Sequence, residues 1–336
     1  MLICICGGGA LGHVCAGVLS SEPNVSVNVL TGNPNLWNKD IEVFDCNGKT
    51  YLGKINRISN NAQDVIPNAD IVFLSLPGYA IENELETIKP YLLEKTVVGS
   101  IVCSTGFFFF AHSILGTKSK LFGFQRTPFI ARVKEYGKSA NLLGYKSEVA
   151  IATENISDVE DFRKIVESLW RTPVQLLNNF YEVSLTNSNP ILHTGRLYSM
   201  FCGLEDHVFD HNIPFYDEWT DEASETIIKM DSEFFLLLEK LQVGKDAILP
   251  LLQYYESFDA KSLTQKIRSI KAFHGIMSPM VEVQNGWVAD FKNRYFTEDF
   301  PYGLKHIWEL SKHHGIDTPM IDKVYGWGMN ILKGIN

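Results

Sequence analysis

His193 stands in the stretch TNSNPILHTG (186–195), behind an asparagine and a proline at the mouth of an apolar helical run. An imidazole can give or take a proton near neutral pH, so His193 is a candidate acid–base group; a satisfied core histidine is the plainer alternative. A second polar cluster, NRYFTEDFPYGL (293–304), carries Arg294, Glu298 and Asp299 ahead of Pro301 and Gly303. It reads either as a solvated loop with an acid near a helix start, or as a carboxylate and a guanidinium delivered to a cleft.

A third candidate opens the chain. The apolar run LICIC (2–6) passes at once into GGGALG and then into HVCAGVLSS, so Gly7, Gly9 and Gly12 carry a G-x-G-x-x-G pattern between a strand and a helix. In that setting the first glycine permits a tight turn, the second lets backbone approach a pyrophosphate, and the third lets helix pack on strand. Together with Ala10 and Leu11, these glycines are the expected dinucleotide contacts, at the N–H end of the helix.

Strands and helices then alternate: VSVNVL (25–30), DIVFLSLP (70–77), a helix over 78–93, and TVVGSIVC (96–103). This predicts an α/β domain of Rossmann-like type with a parallel, doubly wound sheet. The second strand ends in Thr31 and Asn33, with no carboxylate to hold a ribose 2′-hydroxyl and none to repel a 2′-phosphate. NAD and NADP are both admitted, with a lean to NADP. Pro77, at the carboxyl end of a later strand, is a further cofactor candidate or a plain strand-ending turn.

FFFF (107–110) reads as the buried start of a helix, and residues 122–153 as antiparallel strands finishing the sheet. An amphipathic helix follows over 158–170, with Val159, Phe162, Ile165, Val166 and Leu169 on one face. The boundary is expected near Asn179, giving a nucleotide-binding domain over 1–179 and an all-helical domain over 180–336, with a long helix over 218–241. Substrate between two such lobes is a common dehydrogenase layout.

Bulk properties narrow the function. With 45% hydrophobic and 21% charged residues among 336, the chain reads as an ordinary globular protein. No run reaches the roughly 18 apolar residues of a membrane span, and no signal-peptide pattern precedes the glycine turn, which points to the cytoplasm and no membrane partner. A net charge of −9 without basic clusters argues against nucleic-acid binding. The six cysteines, at 4, 6, 15, 46, 103 and 202, lack metal or disulfide spacing and read as reduced, mostly buried thiols.

The glycine turn, TPFIARVKEYGKSANLLGYK (127–146), NPILH (189–193) and RYFTEDFPYGL (294–304) together resemble the opine dehydrogenase family, of the octopine and nopaline dehydrogenase type. The resemblance spans nearly the whole chain. It implies a C-terminal helical domain like that of 6-phosphogluconate dehydrogenase and an NAD- or NADP-dependent condensation of a 2-oxo acid, such as pyruvate, with the amine of an amino acid. It implies His193 as catalytic acid/base, Asp299 as its partner, and Arg294 with Asn189 as substrate contacts. It leaves a homodimer open. Ala131 replaces a cysteine of octopine-type members, and CSTGFFFF lacks an expected glutamine, so the substrate pair stays undetermined.

In such a reaction a proton donor must stand beside the forming C–N centre, and a carboxylate on the other ring nitrogen fixes the imidazole's tautomer. Two alternatives remain. GGALG also resembles the turn of ketopantoate reductase, a 2-oxo-acid reductase that works with a lysine; such an enzyme consumes reduced cofactor without an amine. The other is a nucleotide-binding sensor without catalysis.

Overall fold

The computed structural model describes residues 1–335 and divides into two compact units, Met1–Ser184 and a second beginning at Leu185. A boundary at Asn179 would cut off the short helix Tyr181–Ser184. Val183 of that helix is buried in one cluster with Leu74, Val98 and Phe108, so the turn belongs to the core of the first unit.

Eight strands form the main sheet of that unit. Their spatial order is Val174–Leu176, Val149–Glu154, Lys120–Phe124, Val97–Ser100, Ile71–Leu74, Leu2–Cys6, Ser26–Leu30 and Arg57–Ser59. Neighbours from Lys120–Phe124 onward are parallel, and Val149–Glu154 joins antiparallel. The central strands are unbroken apolar runs because helices cover both faces. One face buries Val14, Leu19, Phe162 and Trp170, and the other Ile81, Leu85, Phe107 and Phe108. From Leu2–Cys6 the chain winds first to one side and then to the other, so a switch point opens beyond Cys6 and Leu74.

Residues 122–153 do not all finish this sheet. The hairpin Phe129–Glu135 and Ser139–Tyr145 pairs with Asp40–Asp45, which pairs with Thr50–Lys54, as a separate four-stranded sheet. The cause lies in the first helix, Ala10–Ser20, whose residues from Gly12 to Leu19 are all buried. A helix apolar on every side needs a second cover, and Val43, Ala131, Ala140 and Leu142 supply it.

The second unit is mainly helical, with Asn189–Phe201, Asp221–Lys240, Ala260–Ser269, Lys305–His313 and Pro319–Ile335 as its longer elements. Thr220 caps the longest by accepting from the Ala223 N–H. One hairpin, Met280–Val283 with Gly286–Ala289, interrupts the expected all-helical text. Its two-residue turn is Gln284–Asn285, and Gly286, which opens the second strand, has φ +144°, a conformation that glycine alone adopts readily. Among the described residues no helix is long and apolar enough to cross a membrane, and no group of side chains is arranged to hold a metal ion.

Asp231 lies buried in the middle of the long helix, where its carboxylate accepts from the Leu251 N–H at 2.9 Å. Burial pushes its pKa up from 3.8 to about 6. A carboxyl with a raised folded-state pKa destabilises as it ionises, so this stability is present at low pH and lost as pH rises through about 6. The shift corresponds to about 3 kcal/mol above neutrality. Asp231→Asn keeps an acceptor for Leu251 without the charge. It is expected to raise the melting temperature by several degrees at pH 7.5 and to leave it near the parent's at pH 4; equal differences at both pH values would refute the assignment.

Candidate active site

Helix Asn189–Phe201 begins with Pro190 in its first turn, where a missing N–H costs nothing. His193 follows one turn later and is 6% exposed. Its Nδ1 lies 2.8 Å from Asp299 Oδ2 and its Nε2 lies 2.9 Å from the Tyr216 hydroxyl. The ring stacks on Tyr295 with centroids 4.5 Å apart and meets Phe215 edge-on. A carboxylate can only accept, so Nδ1 carries the proton in the neutral ring and Tyr216 donates to Nε2. Both ring nitrogens are therefore engaged.

Asp299 reaches His193 through a specific local path. Asn293 caps the short helix Arg294–Thr297 by accepting from the Tyr295 N–H. After Asp299 the chain widens into a π-helical turn, Phe300–Leu304, in which the Leu304 N–H donates to the Asp299 carbonyl at 2.8 Å. Such turns recur at functional sites. Phe296 and Phe300 on either side are fully buried and stacked in parallel, 5.9 Å apart. A Cβ on Gly303 would sit 2.6 Å from Pro190 Cγ. The Pro of the first motif and the Gly of the second are thus in contact, and that contact docks the two segments whose side chains pair. Gly303→Ala is expected to lower stability by about 1–3 kcal/mol through overpacking and to reduce turnover, read from a urea midpoint and an initial rate; parent values in both would show that Pro190 yields without cost.

Tyr216 is buried, stacked on Phe273 at 4.2 Å and parallel to Trp219 at 5.9 Å. Burial pushes its hydroxyl pKa well above the usual range, so the phenol stays neutral. The guanidinium of Arg196, 3% exposed, fixes the segment around it. It donates through Nε to the Phe215 carbonyl at 3.3 Å and through Nη2 to the Glu218 carbonyl at 2.7 Å. Desolvation lowers the pKa of Arg196 to about 10, which still leaves it charged at neutral pH.

Arg294 is placed differently from His193 and Asp299. Its side chain is 74% exposed and pairs with Glu298 at 3.3 Å. Asn189 starts the histidine helix and is half-buried, its backbone N–H donating to Asn187 Oδ1.

In the first unit the glycine turn has the form a dinucleotide requires. Gly7 has φ +124°, and a Cβ there would lie 2.6 Å from the Ser75 carbonyl oxygen; a Cβ on Gly12 would lie 1.9 Å from the Gly7 oxygen. A Cβ on Gly9 meets nothing within 4 Å, so that edge opens outward. Helix Ala10–Ser20, with Ala10 and Leu11 in its first turn, starts there without a side-chain cap, leaving its N–H groups for an anion. His13 braces the turn. Its Nδ1 donates to the Gly9 carbonyl at 2.9 Å, and the Gly137 N–H donates to its Nε2 at 2.7 Å; burial lowers its pKa and keeps it neutral.

The adjoining cavity is lined by Gly7, Gly8, Thr31, Asn60, Asn83 and Glu84 among others, and no lysine or arginine lines it. Asn33, two residues beyond Thr31, is exposed, and Pro77 precedes helix Gly78–Ile88 at an exposed position. The cysteines are all free, with Cys46 and Cys202 exposed and the others buried.

Comparison with known proteins adds to this geometry. Residues 176–332 match the family described as NAD/NADP octopine/nopaline dehydrogenase, alpha-helical domain. An opine dehydrogenase of Haliotis discus hannai is 24% identical over 99% of this chain and 91% of its own length. Along nearly its whole length the chain is thus similar to opine dehydrogenases, and its helical half matches their family. Other relatives include a tauropine dehydrogenase of Arabella iricolor, 25% identical over 99% of this chain and 91% of its own length. Among solved structures, octopine dehydrogenase with NADH and L-arginine has the same fold, with a TM-score of 0.86, 22% identity, and coverage of 99% of this chain and 90% of that one. The family described as ketopantoate reductase PanE/ApbA matches residues 3–102.

Sequence reasoning did not single out His13, Arg196, Tyr216, Tyr295 or Glu84. Tyr295 sits inside a motif already marked, between Arg294 and Phe296, and its neighbourhood was the available signal. Tyr216 lies in NIPFYDEW, where no spacing distinguishes it from core aromatics.

Proposed function

We propose that this protein is an NADH-dependent opine dehydrogenase, joining a 2-oxo acid to the amine of an amino acid and reducing the resulting imine. The hydrogen-bonded pair His193–Asp299, brought together from positions 106 residues apart, is the observation that carries this reading. The glycine turn, with its open edge at Gly9 and an uncapped helix start, suits a dinucleotide pyrophosphate. Bound there, the nicotinamide supplies a hydride.

The protein's own groups handle binding and the proton. His193 delivers a proton to the substrate as carbinolamine loses water and takes one when an ammonium group must become a nucleophile. Asp299 holds the Nδ1–H tautomer and stabilises the imidazolium. Arg294 is assigned to a substrate carboxylate, since a guanidinium grips one bidentately and its single Glu298 contact at 3.3 Å can be exchanged. Asn189, one turn before His193 on the same helix, is assigned as a second substrate contact.

Between the two cofactors, the cavity favours NADH, against the lean to NADP drawn from the missing acid at the second strand. A 2′-phosphate brings about two negative charges, and this cavity offers it the Glu84 carboxyl and no cation.

The test is an oxidation screen with pyruvate and other 2-oxo acids against the amino acids, with NADH and NADPH in parallel arms, alongside fluorescence titration of each cofactor. NADH is expected to bind at least tenfold more tightly than NADPH and to be consumed only when both an oxo acid and an amine are present. Consumption with the oxo acid alone would instead mark a simple 2-oxo-acid reductase, and cofactor binding without turnover a sensor.

A further inference from the structure

Tyr216 stands where a substrate would have to meet His193. Nδ1 is held by Asp299 at 2.8 Å and Nε2 by the Tyr216 hydroxyl at 2.9 Å, which leaves the imidazole no ring nitrogen to present directly. Either the tyrosine leaves before each proton transfer, or the proton passes through it.

Departure is opposed on every side. The ring is 5% exposed and packed against Phe273 and Trp219, with Phe215 edge-on beside it. Its backbone segment is pinned by buried Arg196, which binds the carbonyls of Phe215 before it and Glu218 after it. Moving the side chain would expose a large aromatic surface and leave His193 Nε2 buried without a partner.

We propose that Tyr216 is a further catalytic residue, a proton relay between His193 and the substrate. This rests on the function proposed above. In the forward transfer the imidazolium Nε2–H donates to the Tyr216 oxygen while the Tyr216 O–H proton passes to the accepting substrate atom. The N–H bonding pair stays on Nε2, which becomes neutral, and the phenol ends with one proton, as it began. In the reverse transfer a substrate ammonium N–H gives its proton to the phenol oxygen, and the phenol proton moves to Nε2. A phenol oxygen donates and accepts at once, so it need never ionise. Its raised pKa, caused by burial, suits a group that stays neutral throughout.

The experiment uses the full-length protein with NADH, pyruvate and the amino acid giving the highest rate in the screen, comparing the parent with Tyr216→Phe. The variant keeps the ring and its stacking. Its single-turnover rate is expected to fall about 100-fold with KM values within a few-fold of the parent's. The parent's rate in mixtures of H2O and D2O is expected to curve, as for two protons in flight, and the variant's to become linear. A variant rate equal to or above the parent's would show that Tyr216 is a cover over Nε2, and a parent rate linear in D2O fraction would equally overturn the relay. Tyr216→Phe with parental turnover alongside an inactive His193→Ala would sink the relay alone. A parent inactive with every substrate pair would sink the function as well.

Discussion

Replacing His193 by alanine is expected to lower the single-turnover rate of the reductive condensation by about 10³-fold while leaving the affinity for NADH unchanged. The size follows from what the site lacks besides this ring. Asp299 accepts but does not donate, Tyr216 stays a neutral phenol, and the rings packed on the imidazole are those of Phe215 and Tyr295. None of them is an imidazole, the side chain suited to giving and taking a proton near neutral pH, so the proton source goes with His193. Cofactor affinity is spared because the glycine turn and its brace belong to the first unit and are built from Gly7, Gly12 and His13. The variant does leave the Tyr216 hydroxyl and the Asp299 carboxylate without their partner, so some stability is lost; circular dichroism and the NADH titration separate that loss from the chemical one. Parental turnover in a folded, NADH-binding variant would remove His193 from the mechanism.

How much of this was legible in the sequence depended on how local each signal was. The glycine turn could be read because strand, turn and helix follow one another within a single short stretch, Leu2 to Ser20. The motifs around His193 and Asp299 could be marked as candidates, and Pro190 and Gly303 stand in them. That these two residues touch, and so dock one motif on the other, is a tertiary fact with no trace in spacing. The direction in which Arg294 leaves its helix was equally invisible: residue type names a clamp, but the position on a one-turn helix sets its exposure.

Tyr216 was hidden for a different reason. Its role comes from Arg196 holding the carbonyls around it, and a buried guanidinium that binds backbone leaves no periodic signature. The second sheet of the first unit was missed because alternation predicts a strand without naming its partner. The hairpin of the second unit did carry a signal, Asn285 followed by Gly286 between alternating residues, but the helical spacing on either side dominated it.

Asp299→Asn should give the second large effect, and its value lies in how little else it changes. The amide is nearly isosteric and can still bond Nδ1, so packing against Tyr295 and the docking of Gly303 on Pro190 are preserved. What changes is the direction of the bond. If the amide turns its NH2 to Nδ1, that nitrogen must become the acceptor, and the neutral ring then carries its proton on Nε2, facing Tyr216. A ring in that tautomer cannot take a proton at Nε2. If the amide turns its oxygen instead, the tautomer survives but the charge that stabilises the imidazolium is gone. Both outcomes strike the proton transfer and neither strikes binding, so kcat is expected to fall about 10³-fold with KM for the oxo acid and the amino acid nearly unchanged. Thermal stability should stay within about 1 kcal/mol of the parent's, as for an exchange of one hydrogen-bonding group for another. A variant with parental kcat would mean that His193 is oriented by its packing alone; a variant with raised KM and parental kcat would move Asp299 from the imidazole's partner to a binding group for substrate.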